Sequence, residues 1–110
     1  MSVDFRTRGS RIGNPTGGLS GRAIKPITLR LVYEASRAVN IPIIGLGGIE
    51  TAEDVLEYFV VGASAVQVGT ASFADPTITQ HLVEGLEEAL SRAKSFTIRD
   101  IVANFSAEIG

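Results

Sequence analysis

Ile41-Pro42-Ile43-Ile44-Gly45-Leu46-Gly47-Gly48-Ile49 is the stretch on which the fold turns. Its first six residues form a short, continuous apolar run, and Gly47-Gly48 stops it. Such a run reads as a strand buried on both faces, the environment of a parallel sheet. A second run, Ala63-Ser64-Ala65-Val66-Gln67-Val68, ends in the same way at Gly69-Thr70. Between the two lies a helix pattern. Thr51 suits its N-cap, and Asp54 three residues on makes a short variant of the capping box. Val55, Leu56 and Phe59 form its buried face, and Gly62 is a natural C-terminal stop. Strand, helix, strand is a βαβ unit, which calls for a parallel sheet and an α/β fold.

Working outward, residues 1–14 read as a polar hairpin turning at Arg8-Gly9-Ser10, with Val3, Phe5 and Ile12 as its apolar contacts. Residues 15–25 form a glycine-rich loop. Pro26 opens a helix, because its missing N–H is unsatisfied there in any case, and Ile27, Leu31, Val32, Ala35 and Ala38 follow at helical spacing until Asn40. Beyond the second strand, a helix is expected from Thr77 to Arg92 with Leu82, Val83, Leu86, Ala89 and Leu90 inward, weakened by Gly85. A last helix is expected from Thr97 to Phe105, resting on Ile98, Ile101, Val102 and Phe105. Only two strong strands are visible, which is marginal for an independent sheet.

Composition narrows the function classes. The net charge is -2 and no dense Lys/Arg stripe is present, so nucleic acid is a poor partner. With no Cys, disulfides and thiolate metal sites are excluded. The single His81 falls inside a helical pattern, which favours a surface or core role. No apolar run approaches the ~18 residues of a membrane span. The first residues, MSVDFRTRGSR, lack the apolar core of a signal peptide, leaving the cytoplasm as the default compartment.

The chemistry lies in three glycine-rich segments at equivalent structural places. Gly17-Gly18-Leu19-Ser20-Gly21 precedes a helix, Gly47-Gly48 follows the first strand, and Gly69-Thr70 follows the second. Ligands of parallel α/β proteins sit at the carboxyl ends of the strands. Glycine there lets backbone N–H groups approach a phosphate with no Cβ in the way, and Thr70 adds a hydroxyl donor. The plainer alternative is that each glycine is turn punctuation. Asp4, Lys25, Glu50 and Asp54 read as surface or capping residues.

The same segments carry a family resemblance. Thr16-Gly17-Gly18-Leu19-Ser20-Gly21 with Ala23-Ile24-Lys25-Pro26, then Ile41 to Ile49, then Gly62 to Ala71, resemble the C-terminal part of dihydroorotate dehydrogenases. The GGLSG-x-AIKP form is most similar to the NAD-linked, two-subunit branch. The resemblance covers nearly the whole chain and weakens after Pro76. It implies an α/β fold, the C-terminal fragment of a (β/α)8 barrel. Residues 1–110 would then form a single partial-barrel domain: hairpin 1–14, glycine-rich loop 15–25, phosphate-binding β/α units 26–76 and terminal helices 77–110. A whole barrel needs ~250 residues.

The resemblance further implies FMN at the barrel mouth, held by Gly21, Gly47, Gly48, Gly69 and Thr70, mostly through its phosphate. The family's catalytic base (a Cys in the NAD-linked branch), the Lys beside the flavin ring and the Asn residues that grip orotate would all precede Met1. The full enzyme would oxidise dihydroorotate to orotate in pyrimidine biosynthesis, and this chain alone would be inactive. The expected partners are FMN or phosphate, and either the N-terminal part of the barrel or another copy of the chain. The alternative is a non-catalytic, oligomeric interaction protein derived from such a barrel. Nucleotide-biosynthesis isomerases and glutamate-synthase-like flavoproteins share the Gly-Gly-Ile and Gly-Thr strand ends, but GGLSG-x-AIKP favours the dihydroorotate dehydrogenases.

Overall fold

The two apolar runs pair in parallel, and the helices between and around them collect on one side. The computed structural model describes residues 1–92 and 97–106. Along the chain come β1 (Val3–Asp4), β2 (Gly9–Ser10), a 3-10 turn (Arg22–Ile24), α1 (Lys25–Ala38), β3 (Ile44–Leu46) and α2 (Ala52–Val60). Then follow β4 (Ala65–Gln67), α3 (Ala71–Ala74), α4 (Ile78–Arg92) and a 3-10 turn (Ile98–Asp100). Strands β3 and β4 are parallel, with Ile44 opposite Ala65, Gly45 opposite Val66 and Leu46 opposite Gln67. This is the predicted βαβ unit, with α2 as its crossover.

Helix α2 is the centre of the core. Thr51 and Asp54 form a reciprocal capping box at its start, as the sequence predicts. Val55, Tyr58 and Phe59 are buried along its inner face, joined by Val32 of α1, Leu82 of α4 and by Ile49 and Ala63 at the strand ends. Each large side chain so buried contributes roughly 1.5–3 kcal/mol. Tyr58, which the apolar pattern passes over, is fully buried (0% exposed).

Several expectations are corrected. The strand begins at Ile44, not Ile41, because Pro42 has no N–H to give the ladder. It is covered on one face only. Side chains alternate, so buried Gly45 and half-buried Val66 turn to the helices, while Ile44 and Leu46 stay 57% and 50% exposed on the open face. On α1 the stripe is rotated: Val32 is buried and Leu29 half-buried, whereas Ile27 and Leu31 face solvent. Val83 of α4 likewise points outward. The hairpin turns at residues 5–8, with Arg8 at φ 55, because Gly9 and Ser10 are taken up by pairing with Asp4 and Val3. Its Val3, Phe5 and Ile12 are exposed instead of clustered.

The expected helix from Thr97 to Phe105 is only the short 3-10 turn. The reason lies in α2, whose last carbonyls lack intrahelical partners. Ala103 N donates to Phe59 O at 2.9 Å and Phe105 N to Val60 O at 3.1 Å, so this segment serves as a lid on the end of α2. These two donors are spent there and do not continue a helix. The terminal residues 107–110 and residues 93–96 of the predicted single domain lie outside the described residues. The radius of gyration, 16.9 Å, exceeds the roughly 13 Å of a compact domain this size, in keeping with an exposed N-terminal hairpin and loop.

Candidate functional site

Because β3 and β4 run parallel, the loops that follow them emerge at the same end of the sheet. There they meet the loop before α1 and enclose a cavity of about 360 Å³. That lies within the usual range of small-ligand sites, ~300–1,000 Å³. Leu19, Ser20, Gly21 and Ile24 line one side, Leu46 to Glu50 a second, and Gln67, Gly69, Thr70 and Phe73 the third. All five residues singled out from the sequence, Gly21, Gly47, Gly48, Gly69 and Thr70, line this cavity.

The glycines do different work. Gly47 at φ 138 and Gly48 at φ 68 hold a backbone path that L side chains rarely adopt. A Cβ on Gly47 would lie 2.8 Å from Thr28 Oγ1, and one on Gly48 would lie 2.8 Å from Lys25 Cβ and 3.0 Å from the Gly21 carbonyl. These two glycines let the loop pack down on the start of α1. Around Gly21 and Gly69 a Cβ would meet nothing within 4 Å, so their backbone borders open space. Thr70 caps α3 through its backbone only, and its hydroxyl makes no hydrogen bond among the described residues.

The cavity residues match an organic phosphate in their donor set. Hydroxyls of Ser20 and Thr70, the amide of Gln67 and glycine backbone form the polar part, while Leu19, Leu46 and Phe73 add apolar wall. Among the described residues no Lys or Arg lines it, so an anion here draws on backbone N–H groups and hydroxyls. Among the lining residues Glu50 alone is titratable, and its carboxylate stands 3.8 Å from Arg22. The arrangement suits the binding of a small anion.

Beneath the loop lies an ion pair that the sequence did not reveal. Lys25, expected at the surface, is largely covered, and its Nζ lies 2.5 Å from Asp54 Oδ1 and 3.0 Å from Glu57 Oε2. Asp54 is the predicted capping residue, but it is buried as well. Its Oδ2 accepts from Glu50 N and Thr51 N, both at 2.9 Å. Burial alone would push the Asp54 carboxyl up, yet the hydrogen bonds from Lys25 and from the Glu50 and Thr51 amides outweigh it and hold it below the ordinary value. The hydrogen bond to Asp54 likewise raises Lys25 against the opposing effect of desolvation. Residues 25 and 54 have no sequence signal that pairs them. Burial raises the Tyr58 phenol, whose Oη donates to the Gly47 carbonyl at 2.5 Å. Glu50 is exposed as expected, Asp4 is half-buried and accepts from Arg6 N at 2.9 Å, and His81 makes an exposed contact with Asp75 at 3.2 Å.

Comparison with known proteins bears on the whole chain. The protein family described as Dihydroorotate dehydrogenase matches residues 1–90. The catalytic subunit of dihydroorotate dehydrogenase B (NAD(+)) from Thermodesulfovibrio yellowstonii is 48% identical over 105 residues, 96% of this chain and 35% of that protein. The corresponding subunit from Bacillus mycoides is 59% identical over 90 residues, 82% of this chain and 29% of that protein. The ligand-free dihydroorotate dehydrogenase of Eimeria tenella superposes with a TM-score of 0.76 at 31% identity, covering 89% of this chain and 28% of that one. The chain thus spans about a third of the length of the curated relatives it matches. Its α/β architecture is a part of the (β/α)8 barrel, as the sequence predicts. By sequence and by fold, the chain belongs to the dihydroorotate dehydrogenase family.

Proposed function

We propose that this chain forms the FMN phosphate-gripping part of a dihydroorotate dehydrogenase, an oxidoreductase of pyrimidine biosynthesis that converts dihydroorotate to orotate. The observation that carries the reading is the convergence of Gly21, Gly47, Gly48, Gly69 and Thr70 on one cavity at the strand ends. FMN, when bound, supplies the two-electron acceptor for such an oxidation. The residues of this chain bind and orient it: backbone donors of the Gly47 and Gly69 loops and the Thr70 hydroxyl take the phosphate, and Leu19, Leu46 and Phe73 shield it from water. The NAD-linked branch is favoured by the similarity to NAD(+)-type catalytic subunits. The reading takes the cytoplasm as the compartment. No described helix is long and apolar enough to cross a membrane.

Titration with FMN, followed by flavin fluorescence, tests the reading. Saturable quenching that inorganic phosphate competes away is expected, with no dihydroorotate oxidation by this chain alone. Absence of binding both alone and with the remaining barrel part added in trans would sink it.

A second reading, a non-catalytic oligomeric protein, has one observation in its favour. Among the described residues, nothing covers the face of the β3–β4 sheet bearing Ile44 and Leu46, and no further strand pairs with either sheet edge.

A further inference from the structure

We infer that Tyr58 is a positioning residue for the phosphate loop: it pins the Gly47 carbonyl so that the Gly48 N–H is turned toward the cavity. The inference rests on the proposed phosphate site and deepens it. Tyr58 is wholly buried on the helix side of the sheet, and its Oη donates to Gly47 O at 2.5 Å. A trans peptide is planar, with its C=O and N–H pointing in opposite directions. Drawing the Gly47 carbonyl toward α2 therefore drives the Gly48 N–H the other way, to the side on which Gly47 and Gly48 line the cavity. The φ of 68 at Gly48, the torsion that adjoins this peptide, lies where L side chains are rare.

Asp54 completes the selection. Its Oδ2 already accepts from Glu50 N and Thr51 N, the two amides that lead into α2. Its charge is met by Lys25. Two amides of the loop leading into α2 are thus taken from within, and that loop offers an incoming phosphate the Gly48 amide. The ring of Tyr58 also explains Gly45, where a Cβ would stand 2.5 Å from Tyr58 Cδ1. One side chain fixes both the strand residue before the loop and the orientation of the loop's first peptide.

The test compares the unmutated chain with Tyr58→Phe, which keeps the ring and removes only the hydroxyl. Amide NMR with inorganic phosphate and with FMN as probes is expected to shift the Gly48 signal and leave Glu50 and Thr51 in place. In Tyr58→Phe, the Gly48 amide signal is expected to move and its exchange to speed in the ligand-free chain, and FMN affinity to fall about tenfold, with far-UV circular dichroism unchanged. Unmoved Gly48 exchange together with unchanged FMN affinity in Tyr58→Phe overturns the inference. So does a phosphate response at Glu50 and Thr51 in place of Gly48, a result that stands on the unmutated chain even if the variant fails to fold. If the unmutated chain binds neither probe, the proposed function fails, while the ligand-free exchange at Gly48 still decides what Tyr58 does.

Discussion

Lys25 Nζ lies 2.5 Å from Asp54 Oδ1, joining the first residue of α1 to the third residue of α2 across 29 positions of sequence. The pair ties the glycine-rich loop before α1 to the loop after β3. Asp54 also holds the amides of Glu50 and Thr51, so removal of its cation leaves a buried, capping carboxylate uncompensated.

Lys25→Met is therefore expected to destabilise the chain by about 2 kcal/mol, somewhat less than a fully buried pair because the lysine retains some contact with water. Arg30→Ala, which breaks the exposed pair with Glu34, is expected to cost less than about 0.5 kcal/mol. Urea midpoints of the two variants check the contrast, and equal shifts would refute it.

Acid sensitivity follows from the same pair. The folded state lowers the Asp54 carboxyl, so its stabilisation is present above the unfolded value and is lost as pH falls through the carboxylate range. The folded state raises Lys25, so its share is present below the unfolded value and is lost as pH rises through the lysine range. A plateau of melting temperature near neutrality, falling at both ends, is expected. Lys25→Met should flatten both falls, and a variant as acid-sensitive as the parent would contradict the assignment.

Two glycine-to-alanine changes should separate packing from binding. Gly45→Ala drives a methyl into the Tyr58 ring and is expected to cost about 1–3 kcal/mol. Gly69→Ala meets no atom within 4 Å and is expected to leave stability within about 0.5 kcal/mol. It should nonetheless weaken FMN binding about tenfold, since its methyl narrows a phosphate's approach to the backbone. Thermal melts alongside flavin fluorescence resolve the two effects. An unaltered FMN affinity in Gly69→Ala would remove that loop from the site.

The open face of the sheet should drive association. Ile44 and Leu46 lie side by side in β3 with about half their surface in water. Light scattering at tens of micromolar, a range suited to roughly micromolar association, is expected to report a species larger than a monomer. Leu46→Lys should shift it toward monomer. A stable monomer in the unmutated chain would remove the ground for a self-associating reading.

Local patterns made much of this legible. The two apolar runs, the Thr51–Asp54 cap, the Gly62 stop and the glycine-ended strands each report on a few adjacent residues, where propensity and hydrogen-bond demand act directly. Even the cavity residues were accessible this way, because parallel strands place their following loops at one end. The last segment was misread for the opposite reason. Thr97 to Phe105 has a helical pattern, but Ala103 and Phe105 give their N–H groups to Phe59 and Val60, a demand set some forty residues away.

Periodicity and turn chemistry are local and additive, so the βαβ order, the parallel sheet and the glycines around the cavity are written in runs of neighbouring residues. Tertiary structure alone decided that Lys25 and Asp54 pair, that Tyr58 grips Gly47, and that one face of β3 stays open. Those features depend on which surfaces meet. Burial strengthens a charge pair or a hydrogen bond only after packing has excluded water around it, and no run of adjacent residues encodes that exclusion.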